Sequence, residues 1–177
     1  MSEPTFTLDF AVGFRGLMLD VLAREVQVTA RVLASVPDDR RDYRPDPSSR
    51  SAWELAWHVA ADVWFLEGIG RLRFEPNPDQ SHTNPNSSSS TLAGWYSARA
   101  REALELIRTV SAEHLLGPVI LGGVAEQSRQ SFPAFVYLLW AHTHMVHHRG
   151  QLAAYLRPMG AKVPSIYGPS ADEPVQG

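Results

Sequence analysis

Apolar residues recur at three- and four-residue steps in four stretches of the chain, and each stretch is free of proline. The windows 5–36, 48–75, 86–117 and 134–157 hold none, while prolines cluster at 37/45/47, 76/78/85 and 118/133 and return after 157. Proline removes a backbone donor and clashes with the preceding turn, so this spacing predicts four long helices. In the first, Met18, Val21, Leu22, Val28, Val32, Leu33 and Val36 form one apolar face. The second opens on Ser51-Ala52-Trp53-Glu54, a capping-box pattern, and carries Trp53, Trp57, Ala60, Trp64 and Phe65. The third carries Leu92, Trp95, Tyr96, Ala103, Leu104, Ile107 and Val110. The fourth runs from about Phe132 to Arg157, with Pro133 in its first turn and Pro158-Met159-Gly160 ending it.

Four such helices predict an all-α fold, a four-helix bundle in one domain over 1–177. Residues 75–91, rich in Asn, Pro and Ser, read as a polar surface loop long enough for a crossover connection. Val119-Ile120-Leu121 before Gly122-Gly123 is either a short extended segment or an irregular turn. The tail 161–177 has three prolines and few apolar residues, and is expected to be irregular, lying over the bundle or fraying.

Composition narrows the chemistry. The 177 residues contain no cysteine, which excludes disulfides, thiolate metal sites and a cysteine nucleophile. The net charge is −3 and Lys162 is the only lysine, the arginines being scattered; no basic stripe suggests nucleic acid. Apolar runs are short, so no membrane span is expected, and the Met1-Ser2-Glu3-Pro4 start does not resemble a signal peptide. A cytoplasmic location is expected.

The histidines carry the chemical signal. Seven occur, and four of them, His142, His144, His147 and His148, fall within seven residues of the fourth helix. His144 and His148 are four apart, hence on one helix face with Cβ atoms about 6 Å apart, a spacing from which two imidazoles can share one metal ion. The row Tyr137, Ala141, His144, His148, Gln151, Tyr155 has the 4-3-4-3-4 spacing of a bundle seam, which turns the pair inward. His58, mid-helix among apolar residues, is the best third ligand, and His147 is the alternative. Three neutral imidazoles make an open site that suits zinc, nickel, cobalt or iron(II). His142 lies on roughly the opposite side and reads as structural; His82 and His114 read as surface residues. Glu54 and Asp62, one turn either side of His58, are candidate partners for its free N–H, although the capping box explains Glu54 equally well. Gln151 lies one turn beyond His148 and is placed to hydrogen-bond a ligand or substrate. Arg149 suits either a substrate carboxylate or support of the bundle, and Gly150 a close helix approach. Trp57, Trp140 and Tyr155 are candidate pocket walls. No His-Glu-x-x-His, Walker or Gly-x-Ser-x-Gly motif is present, and no residue is assigned to catalysis itself.

His144-Met145-Val146-His147-His148-Arg149-Gly150-Gln151, with Tyr155-Leu156-Arg157 and Pro164 to Gly168, resembles the DinB/YfiT-like superfamily. Tyr43-Arg44-Pro45 and the run from Ser51 to His58 resemble the family's second helix. The resemblance extends from the first helix to near the C-terminus and implies a four-helix bundle with a long crossover, often a homodimer. It implies one divalent metal, commonly nickel or zinc, on His58, His144 and His148. Characterised relatives transfer bacillithiol or mycothiol, or isomerise maleylpyruvate with a thiol; some were first noticed as DNA-damage-induced. The expected function is therefore metal-dependent transfer of a low-molecular-weight thiol to an electrophilic small molecule. A metal-bound hydroxide acting as a hydrolase, and a metal-binding stress-associated protein without turnover, are the alternatives.

Overall fold

The computed structural model describes residues 6–74, 84–121 and 130–174. Its elements are α1 (Leu8–Ala34), a 3-10 turn (Asp38–Arg40), α2 (Ala52–Ala61), α3 (Val63–Arg71), β1 (Arg73–Phe74), α4 (Ser89–Thr109), α5 (Ala112–Leu116), β2 (Pro118–Leu121), β3 (Gln130–Pro133) and α6 (Ala134–Leu156). The architecture is the expected all-α bundle, with α2 and α3 together forming its second rod.

The capping box at Ser51 is real. Ser51 Oγ accepts from the Glu54 amide at 3.2 Å, and the Ser51 amide donates to Glu54 Oε2 at 2.7 Å. A second box, Ser88 with Thr91, draws Ser89–Thr91 into α4 and shortens the polar loop at its C-terminal end. Most of that loop, including His82, lies outside the described residues. Pro133 stands just before α6, as the N-cap. At the other end Gly160 takes φ +79°, with Ala161 N–H bonded to the Leu156 carbonyl and Gly160 N–H to that of Arg157. This is the Schellman closure that left-handed glycine permits.

The second window is not one helix. It breaks at Asp62, which keeps right-handed angles (φ −58°, ψ −17°) while the Phe65 amide bonds to its carbonyl at 3.0 Å. The chain tightens for one turn and re-enters helix. Neither proline nor glycine sits there; what marks Asp62 is a carboxyl group buried to 2% exposure, facing α6.

α1 packs against α4 and α6, α2 against α6, and α3 against α4. The first and second rods thus stand on one diagonal, and α4 and α6 on the other. In chain order α3 and α4 are therefore neighbours, and the diagonal steps fall between α1 and α2 and between α4 and α6. In the latter, Val119 to Leu121 is extended. β2 pairs antiparallel with β3 (Val119 opposite Phe132) and parallel with β1 (Arg73 opposite Ile120), a small sheet at the side of the bundle. The close helix approach is at Gly70, where a Cβ would come within 2.2 Å of Leu106. Gly150, by contrast, faces open space.

Along α6 the buried row is Leu138, Ala141, Met145, Arg149, Leu152 and Leu156. It lies beside the row expected from spacing, so the histidines flank the core on the side of α2. The buried row contains a charge. Arg149, 1% exposed, donates to the Glu25 carboxylate on α1 and, at 2.6 Å, to the Tyr167 hydroxyl. Thr29 Oγ1 is a third partner at 3.3 Å, and His142 Nε2 lies 3.9 Å from Glu25 Oε1. Through Tyr167 this cluster ties the C-terminal tail to the bundle. Arg157 to Asp172 and Arg31 to Glu173 tie it further.

Candidate metal centre

His58 rises from the middle of α2, and His144 and His148 from successive turns of α6, the helix packed against it. One nitrogen from each of the three lies within 4.8 Å of the others. Ring centroids are 4.3 Å apart for His58 and His148, 4.4 Å for His144 and His148, and 5.8 Å for His58 and His144. Trp140 stacks on His144 at 5.1 Å and Phe65 meets it edge-on at 4.9 Å, so the ring has little freedom to turn.

The outer nitrogens decide which lone pairs face inward. His148 Nδ1 is 2.9 Å from Gln151 Oε1, and the amide oxygen can only accept, which puts the proton on Nδ1 and leaves Nε2 free. Asp62 Oδ2 approaches His144 Nδ1 to 3.2 Å but off the line that a hydrogen bond prefers, and neither atom has another partner among the described residues. A cation on the inner nitrogen would make the outer N–H a stronger donor to this carboxylate, as in the carboxylate–histidine–metal arrangement. These orphaned buried atoms and the neutral nitrogen donor set fit a divalent ion.

Two of the three imidazoles are held toward their neutral forms. Burial, followed by the neighbouring His148, Arg50 and His144, lowers the His58 pKa to about 4. Burial likewise depresses that of His148, against the hydrogen bond to Gln151. Burial pushes the Asp62 carboxyl up, and His144 pulls it back. The sign for His58 follows: its folded pKa lies below the ordinary 6.5, so the unfolded chain takes up the proton first. Its stabilising contribution is complete above pH 6.5, falls as the pH drops toward 4, and is flat below that. In urea unfolding of chelator-treated protein at pH 7.5 and 5.0, wild type should lose more stability on acidification than His58→Gln. Equal losses would remove His58 as a half-buried neutral base.

The DinB family model matches residues 1–176. The chain belongs to the DinB family. It is 26% identical over 151 residues to the uncharacterized protein YrdA of Bacillus subtilis (strain 168), covering 84% of this chain and 85% of that one. A DinB-like protein from Bacillus cereus ATCC 10987 superposes with a TM-score of 0.69 at 22% identity, over 85% of this chain and 95% of the other. YjoA of Bacillus subtilis, also DinB-like, gives 0.66 at 21% identity, over 84% and 96%. At such identities these two structures speak for the fold.

In this DinB-family chain the remaining candidates sort by geometry. Glu54 is not a partner of the triad; its carboxylate holds the capping box and Arg44, at 2.9 Å. Asp62 faces His144 rather than His58 because the break after α2 turns it toward α6. Arg149 is sealed in the core on Glu25 and cannot meet a substrate. Gln151 is exposed and joins His148 to His147, whose Nε2 is 3.1 Å from the amide nitrogen. His114 is half-buried, with Nε2 2.7 Å from the Ile69 carbonyl, so it is a structural residue rather than a surface one. Trp57 lines a cavity beside His58, whereas Tyr155 packs edge-on against Tyr43. The Glu25 partner of Arg149 is 124 positions away and had no sequence signal. No helix among the described residues is long and apolar enough to cross a membrane.

Proposed function

We propose that this protein binds one divalent metal ion through His58, His144 and His148 and transfers a low-molecular-weight thiol to an electrophilic small molecule. The observation that carries the reading is the convergence of three imidazoles from two helices, with Asp62 and Gln151 set against the outer nitrogens of His144 and His148. Zinc or nickel suits such a nitrogen set. When bound, a divalent cation favours the anionic form of a thiol that reaches it.

The chain's own residues do the positioning. Gln151 fixes the tautomer of His148, and Asp62 offers His144 an acceptor. Trp140 and Phe65 brace the His144 ring, so the inner nitrogens keep their aim. A cavity of about 510 Å³ opens beside His58, within the size range of small-molecule sites. The chain has no cysteine, so the sulfur must arrive on a second molecule. In the transfer one carbon–sulfur bond forms, the leaving group departs with its bonding pair, and the thiol proton passes to solvent.

The test uses full-length protein loaded with zinc or nickel, 1-chloro-2,4-dinitrobenzene as electrophile, and bacillithiol, mycothiol or glutathione in turn. The expected result is thioether formation with release of chloride, lost on chelation and in His144→Ala. Cleavage of esters or amides without thiol consumption would replace transfer by hydrolysis. Bound metal with no reaction at all would leave a metal-binding protein without turnover.

A further inference from the structure

The charges around the cavity beside His58 do not balance. Its wall includes Arg44, Arg50, Trp53, Glu54, Trp57 and Asn84. Glu54, the one carboxylate among the described residues of that wall, is committed to the Ser51 amide and to Arg44, and Arg44 also donates to the Ser49 carbonyl. Those two charges cancel. Arg50 has no ion pair or hydrogen bond on its guanidinium among the described residues. Its backbone is tied down, since its carbonyl accepts from the Tyr155 hydroxyl at 3.4 Å and it immediately precedes the N-cap of α2. Its charge is felt at the triad, where it helps keep the His58 imidazole neutral. Asn84 Nδ2, on the same wall, has no acceptor either. The cavity thus presents an unpaired, solvent-facing cation and a spare donor, with no free carboxylate among the described residues to satisfy them.

We propose that Arg50 binds a carboxylate of the small molecule this protein acts on, so that the substrate is an organic anion held with its reacting end toward His58 and its body along Trp53 and Trp57. A planar guanidinium pairs a carboxylate through two parallel N–H···O bonds, which sets orientation as well as affinity. The assignment rests on the three-histidine reading only for where the reacting end lies; the anion contact itself needs no metal.

Benzoate and its uncharged analogue benzamide are the probes, titrated against the full chain by tryptophan fluorescence, both metal-free and zinc-loaded. Wild type should bind benzoate more tightly than benzamide in both forms. Arg50→Gln should weaken benzoate binding about tenfold or more and leave benzamide unchanged, as loss of a charge-assisted pair requires. Arg50→Lys should recover part of the preference. Helix content and zinc stoichiometry should match wild type in both variants. Wild-type affinity for benzoate in Arg50→Gln, or no preference for benzoate in wild type, overturns the proposal. If the chain takes up no zinc, the three-histidine reading fails, while the metal-free titration still decides Arg50.

Discussion

His144→Ala is expected to remove the metal. Wild type purified without added metal or an affinity tag should carry about one divalent ion per chain by plasma mass spectrometry, and the variant close to none. The loss goes beyond one ligand in three. His144 stands 4.4 Å from His148 by ring centroid, and it is the residue whose outer nitrogen Asp62 faces. Without the imidazole a buried carboxylate is left alone, and nothing remains to carry a cation's charge toward it. Asp62→Asn should be milder, keeping the three nitrogens but weakening affinity by about 10–100-fold, the usual cost of losing an outer-shell acceptor. The two variants therefore separate ligand from support: one loses stoichiometry, the other affinity. An His144→Ala protein that still binds one ion per chain would place the metal elsewhere.

Arg149→Met should produce the largest loss of stability. It removes the guanidinium from a cluster sealed between α1, α6 and the tail, and leaves the Glu25 carboxylate without its cation. Breaking one side of a buried ion pair costs about 3–5 kcal/mol, because the remaining charge stays desolvated. In a chain of this size that corresponds to a fall in Tm of roughly 6–20 °C. Replacing both partners, Arg149→Met with Glu25→Leu, should recover much of the loss, since no uncompensated charge is then buried. Zinc stoichiometry should not change in either, which distinguishes a bundle-supporting residue from one serving the site. A cost under about 1 kcal/mol for the single variant would show that the pair does not sustain the core.

The local pattern announced the helices well because each signal is short-range. Proline positions, the Ser51 box and Gly160 act within one or two turns, and the observed ends agree with them. The spacing of His144 and His148 is likewise a property of one helix, and His58 stood out as the third ligand by its place mid-helix among apolar residues. What spacing could not supply was the rotation of α6 about its axis. Rows one residue apart differ by about 100° around a helix, and both the histidine row and the Met145–Arg149 row have seam periodicity. Packing against α1 chose the second as the core, because Glu25 and Thr29 give Arg149 a partner there and solvent is not needed.

The same division runs through the site. The sequence by itself determined four amphipathic rods, the absence of any protein thiol, and two imidazoles on one helix face. Only the tertiary structure decided that Asp62 faces His144, that Glu54 is spent on a helix cap, and that Arg50 is exposed where Arg149 is buried. Each of those outcomes is a competition among charged groups for partners far apart in the chain. A charged side chain settles where desolvation is offset by an opposite charge or by water, and that depends on which helices meet.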